Sequence, residues 1–233
     1  MALGFSHAIT RSWGSASTTF LGGSNNDPQN TLILAWAANV PQLILSFCYL
    51  AINSECTSMA GAREWNQLGA VRKGLRVTNP MKAQRNTYYL QLPYKVSLPL
   101  TLFSGGLHWL LSQTLFLVRI DSVRRDGVTL NSEGSRAGIG ISGLSFVVLY
   151  LAFFGLVLVV TLVGRRKLRV RIPFAASCSL VISAACHPAE GDKEAHLHPV
   201  KWGVVKERKF FGKPHCTLSS REVGRPKEGS RYC

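Results

Sequence analysis

His108 is the sharpest candidate for chemistry in this sequence, because it lies inside a segment without charged residues between positions 96 and 118. An ionisable side chain at membrane depth often belongs to a proton relay or contacts a substrate. No Asp or Glu lies in the long apolar segments of the chain to complete a relay. The simpler expectation is therefore a neutral imidazole that hydrogen-bonds to a neighbouring helix.

Other polar residues lie in the same apolar segments. Together they form a candidate intramembrane binding face of Asn39, Gln42, Ser104, His108, Ser112 and Gln113. The spacing of four between Ser104, His108 and Ser112 places them on one side of a helix. Pro41 removes a backbone donor and bends its helix. Two interpretations follow: these residues hold helices together, or they line the polar path of a transporter or channel.

The last third of the chain carries thiols and imidazoles, namely Cys178, Cys186, His187, His196, His198, His215 and Cys216. Their spacing fits no metal-binding template, so we expect neither a metal nor another cofactor. Cys186 and His187 could act as nucleophile and base only if the fold supplied a third group, which leaves a membrane-bound enzyme as an alternative. GxxxxGK[ST] and GxSxG are absent, Gly138-Ile139-Gly140 precedes an apolar helix expected to face lipid, and no catalytic residue is assigned.

Three uncharged segments would position these side chains, at about 31–52, 96–118 and 140–163. A helix needs about 20 mostly apolar residues to cross a bilayer. The sequence therefore predicts an all-α integral membrane protein with three transmembrane helices in a region covering 31–163. A polar lead-in, 1–30, would precede it, a basic loop, 53–95, would follow the first helix, and a short loop, 119–139, the second.

The charge distribution predicts the sidedness of this protein. The chain has 27 Lys and Arg against 12 Asp and Glu, a net charge of +15. Positive residues concentrate on the cytoplasmic side of membrane proteins, which places the loop 53–95 and the tail 164–233 in the cytoplasm and the N-terminus outside. The bilayer and its anionic head groups are then the expected partners, with a homo-oligomer or other membrane subunits and without nucleic acid. The basic residues expected at the membrane interface are Arg72, Lys73, Arg76, Arg85, Arg165, Arg166 and Lys167.

Three shorter features complete the pattern. Residues 59–75 are spaced as a basic amphipathic helix, which would lie on the membrane surface or pack on the other helices. The apolar segment 172–186 is short for a span, and a re-entrant segment, a buried segment and a fourth span all remain open. In the tail, residues 200–205 and 216–218 are typical of short strands, with Gly212 and Pro214 in the turn between them.

Several long motifs carry a family resemblance. QRNTYYLQLPYKVSLPL begins at Gln84, SGGLHWLLSQTLFLV at Ser104, and HCTLSSREV at His215. In these motifs the chain resembles the C-terminal half of a family of uncharacterised fungal multi-pass integral membrane proteins. The resemblance implies a membrane location and a truncated relative of a longer protein, and it supplies no catalytic residues. The expected function is a non-enzymatic membrane scaffold or accessory component, with a transporter or channel fragment and a membrane-bound enzyme as alternatives.

Overall fold

The structure is a computed structural model that describes residues 21–25, 28–120, 123, 136–170, 172, 173, 175, 178–187, 191–210, 212–227 and 229–232. Among the described residues, strands accompany the helices and form three small sheets. The predicted all-α fold is therefore wrong. Contacts divide the chain into two compact units. Unit 1 contains Met1–Asn53 and Leu98–Val163, and unit 2 contains Ser54–Ser97 and Gly164–Cys233. Most of the predicted lead-in and of the loop 119–139 lies outside the described residues.

The first helix, α1, runs from Pro28 to Ala70 and is 43 residues long, or about 65 Å at 1.5 Å per residue. It was expected to end at Ile52 and give way to a loop. It continues instead because no proline interrupts residues 53–70 and half of them are good helix formers. In unit 2, Asn66 and Leu68 are also buried on this stretch and hold it in place.

The second helix, α2, spans Tyr94–Thr114 and carries Pro99 in its second turn. It ends before the predicted Val118 because Leu115–Ile120 forms a strand, β4. This strand pairs antiparallel with β5, Arg136–Ile141, and β5 pairs on its other side with β1, Leu21–Asn25. Gly140 permits the pairing, since a Cβ there would lie 2.8 Å from the ring of Phe116.

The third helix, α3, spans Gly143–Gly164. It starts three residues later than predicted because Ile141 still belongs to β5. The Ser142 and Ser145 hydroxyls lie 3.1 Å apart, and the Phe146 amide donates to the Ser142 carbonyl at 3.1 Å. These contacts form the first turn of α3, where a serine commonly precedes a helix.

Two described helices, not three, are long and apolar enough to cross a membrane. They are α1 over Thr31–Ala70, with a mean hydropathy of 1.6, and α3, with 2.9. The expectation of three transmembrane helices is therefore wrong. The physical reason is the composition of α2, in which Lys95, His108 and Gln113 lower the mean hydropathy.

Unit 2 contains the remaining short elements. Arg76–Val77 and Arg85–Asn86 form a small parallel pair, β2 and β3. The strands predicted in the tail are present as an antiparallel hairpin of β6, Lys201–Phe210, and β7, Lys213–Ser219. Gly212 lies in its turn with φ +75°, a conformation that glycine adopts without steric cost.

The core of unit 2 lies between this hairpin and a helix of eight residues, α4, Ser179–Cys186. Ala185, Trp202 and Cys216 are its buried residues. The segment 172–186 thus contributes one buried side of a short helix. Its opposite side is open, since Leu180 is 79% exposed.

Candidate functional site

Gln42 and His108 are the two intramembrane candidates that the structure brings together, within unit 1. The Gln42 amide nitrogen donates to the His108 carbonyl at 3.2 Å. Its amide oxygen therefore faces the imidazole, 2.7 Å from Nδ1. An amide oxygen carries no proton, so Nδ1–H of His108 is the donor. The pair links α1 to α2 by two hydrogen bonds.

The other candidates of the polar face do not join this pair. Asn39 is exposed and donates to the carbonyl of Ala35 in its own helix at 2.8 Å. Ser112 is also exposed and donates to the Trp109 carbonyl at 2.7 Å. Ser104 and Gln113 are half-buried on α2. Among the described residues, the hydrogen bonds of Asn39 and Ser112 thus stay within their own helices and do not extend the contact between Gln42 and His108.

Arg76 and Arg85, expected at the membrane interface, converge on Glu64 in unit 2. The Arg76 Nε lies 2.7 Å and the Arg85 guanidinium 2.8 Å from the same carboxylate oxygen. Arg76 also lies over the ring of Tyr88, 4.0 Å from its centroid. Arg85 donates to the Gly74 carbonyl at 2.9 Å. These two guanidinium groups therefore hold α1 to the segment that contains β2 and β3.

Arg72 and Lys73 also make internal contacts. The Arg72 guanidinium donates to backbone carbonyls at the end of β7, those of Ser219 and Ser220 among them. The Lys73 side chain donates to Gln67, and its backbone pairs with Val200 through two hydrogen bonds of 3.0 Å. By contrast, the three basic residues that directly follow α3 are exposed; they are Arg165, Arg166 and Lys167.

The thiols and imidazoles of the tail come together only in part. The rings of His187 and His215 meet edge to face at 6.4 Å. Cys216 is buried, which raises the pKa of its thiol to about 11, whereas Cys186 is exposed. No three of the described His, Cys, Asp and Glu residues lie together as metal ligands would. Cys216 is thus protonated at neutral pH and a poor nucleophile.

Asp192 anchors a polar cluster that sequence reasoning missed. It is 7% exposed and accepts hydrogen bonds from the Ser219 hydroxyl at 2.6 Å and the Ser220 amide at 2.9 Å. Burial alone would raise the pKa of this carboxyl. The hydrogen bonds from Ser219 and Ser220, together with the charge of Arg221, outweigh burial and lower the pKa. The sequence offers no signal for this cluster because Asp192 and Ser219 are distant in the chain.

Comparison with known proteins then places the chain in a family. A sequence profile described as a domain of unknown function, DUF8419, matches residues 2–232. The chain belongs to this family. No curated protein and no solved structure matches it. The family description supplies no function, and the narrower resemblance to fungal multi-pass membrane proteins stays a prediction.

Proposed function

We propose that this protein is a non-enzymatic membrane component, a scaffold or accessory subunit, inserted through α1 and α3. The supporting observation is the exposure of these helices. None of the most apolar stretch of α3 is buried, and only 6% of that of α1. Such a surface needs lipid or a partner to cover it, because soluble proteins rarely expose large contiguous apolar patches.

The free energy of membrane insertion favours a transmembrane position for α3. Its Leu, Val and Phe residues each contribute a few tenths of a kcal/mol to membrane insertion, roughly 5 kcal/mol in all, and no charged residue opposes this. The basic residues 165–167 directly after the helix then favour a cytoplasmic position for its C-terminal end. This agrees with the resemblance to fungal multi-pass proteins.

Unit 2 adds a constraint on sidedness. Its two parts, Ser54–Ser97 and Gly164–Cys233, pack together and must lie in one compartment. The first part follows the apolar portion of α1, and the second follows α3. Crossings by α1 and α3 alone would leave the two parts on opposite sides of the bilayer. A shared cytoplasmic position for unit 2, in contact with anionic head groups and other membrane subunits, therefore requires that the chain between Ser97 and Gly143 also return across the bilayer.

The contacts of the polar residues favour a scaffold over a transporter or an enzyme. Gln42 and His108 satisfy one another, so the pair is accounted for as a helix contact. For the enzyme alternative, which uses Cys186 and His187, Nδ1 of His187 lies 2.7 Å from the Ser183 carbonyl, so this nitrogen is a donor there and does not act as a base. A scaffold requires neither a solute path nor an activated side chain.

Alkaline carbonate extraction of membranes tests the proposal. We expect the native chain to stay in the pellet. Arg at both Leu151 and Leu158, two exposed residues of α3, should release part of it, because a charge at a helix centre costs about 2.5–3.5 kcal/mol. Val71→Arg with Met81→Arg is the matched control, since both are exposed apolar residues outside the helices and the variant adds the same two charges. Extraction of the native chain as a peripheral protein would refute insertion.

A further inference from the structure

A cleft of about 580 Å³ lies within unit 2. Its walls come from the end of α1, the segment after α3, the start of β6 and the segment that follows β7. Four basic side chains line it: Arg169, Lys201, Arg225 and Lys227. Its volume is within the range of small-molecule sites, about 300–1,000 Å³.

The charge of this cleft is uncompensated among the described residues. The ion pairs among the described residues lie outside the cleft. They join Glu64 to Arg76 and Arg85, and Lys82 to Glu194. No Asp or Glu is among the described residues that line the cleft. The C-terminal end of α1 contributes a partial charge of about −0.5, which is small against four full positive charges. The cleft therefore favours an anion.

The walls of the cleft are held in place by the fold. Trp202 is 7% exposed and belongs to the core, against which Tyr232 packs. The Tyr232 hydroxyl accepts a hydrogen bond from the Lys227 amide at 2.6 Å. Val204 and Gly224 exchange two backbone hydrogen bonds of 2.9 Å, which fix the last segment to β6. A site whose walls are already ordered loses less entropy when a ligand binds.

The cleft walls also require a close approach between backbones. A Cβ at Gly203 would lie 2.7 Å from the Gly224 carbonyl oxygen. An alanine at position 203 would therefore displace the wall that carries Arg225 and Lys227 without changing any charge.

We propose that this cleft binds a phosphomonoester, carried by a lipid head group or by a free phosphorylated solute. Guanidinium groups recognise phosphate oxygens through paired hydrogen bonds, and lysines add point charge. Trp202 and Tyr232 also line the cleft and add aromatic surface beside the basic side chains. Arg169 follows the end of α3 by five residues, a reach of at most about 18 Å, so a head group is within reach of an inserted chain. The proposal does not depend on insertion, because a soluble phosphate would bind as well.

The test uses the full chain in neutral detergent. Calorimetry with inositol trisphosphate measures the soluble probe, and native mass spectrometry with phosphatidylinositol 4-phosphate or phosphatidylserine measures lipid adducts. We expect saturable binding of inositol trisphosphate or of phosphatidylinositol 4-phosphate, and weaker binding of phosphatidylserine, which has no phosphomonoester. Binding of the lipid without the soluble probe would identify a head-group site, and comparable binding of both would identify a site for free solutes.

Charge-matched variants separate the cleft from the general basicity of the chain. Arg225→Gln with Lys227→Gln should weaken binding at least about tenfold, at roughly fivefold per charge. Arg165→Gln with Arg166→Gln removes the same charge outside the cleft and should weaken it less than about threefold. Gly203→Ala should also weaken binding, at unchanged charge. Equal losses in the two charge variants, or no saturable binding of either phosphomonoester, would overturn the proposal, whatever the outcome of carbonate extraction.

Discussion

Replacement of Asn66 by leucine is the most direct test of how unit 2 is held together. Asn66 lies on α1 and is 3% exposed. Its amide oxygen accepts from the backbone amides of Arg169 and Val170 at 3.0 and 3.2 Å, and its amide nitrogen donates to the Val170 carbonyl at 2.5 Å. One side chain thus satisfies three backbone groups of the segment that follows α3.

The expected cost follows from these three bonds. A hydrogen bond contributes a net of about 1 kcal/mol, so Asn66→Leu should destabilise the segment 169–170 by about 3 kcal/mol. Leucine has a similar size, which limits the change in packing. Because 1.4 kcal/mol is a factor of ten, the amides of Arg169 and Val170 should exchange with deuterium about a hundredfold faster.

Hydrogen exchange of the full chain in detergent, read by mass spectrometry, gives this rate directly. Asn39→Leu is the matched control: the same change at an exposed position that loses one bond within its own helix, so exchange at 169–170 should not change. Exchange in Asn66→Leu within threefold of the native rate would refute the assignment of Asn66 as the anchor of this segment.

Three further predictions concern other contacts. Asp192→Asn should cost about 2 kcal/mol at pH 7. Because the pKa of Asp192 is lowered from 3.8, this stabilisation is present above about pH 4 and is lost as the pH falls through the lower folded pKa. The difference between urea titrations of the native and variant chains should therefore shrink as the pH is lowered below about 4. A double-mutant cycle of Gln42→Leu and His108→Leu should give a coupling of about 1 kcal/mol in thermal unfolding, and additive effects would show that the two hydrogen bonds contribute nothing. Maleimide at pH 8 should modify Cys186 before Cys216, because Cys186 is exposed and burial holds the pKa of Cys216 at about 11. Mass spectrometry would follow the labelling, and the reverse order would contradict the burial of Cys216.

The candidate site could be predicted only in part. Polar residues inside apolar segments pointed to Gln42 and His108. The simpler expectation for His108, a hydrogen-bonded imidazole, matches the observed contact. Asn39, Ser104, Ser112 and Gln113 shared the same pattern without joining that contact. A helical period places residues on a face, but it does not say which face a second helix covers.

The basic residues were also predicted only in part. Composition alone indicated a strongly positive chain, and charge next to an apolar helix indicated a membrane interface. The structure directs Arg76 and Arg85 inward to Glu64 and leaves Arg165–Lys167 exposed. Sequence patterns do not separate these roles, because an ion pair depends on which distant carboxylate the fold delivers.

Local pattern by itself determined the apolar helices α1 and α3 and the hairpin β6–β7, since length, hydropathy, alternation and a turn glycine are properties of consecutive residues. Tertiary structure decided the rest. The strand β4 replaces the end of a predicted helix because β5 offers its backbone a partner. The cluster at Asp192 and the cleft at Trp202 exist because residues from separate parts of the chain pack together. Those contacts join positions far apart in sequence, and no local preference encodes them.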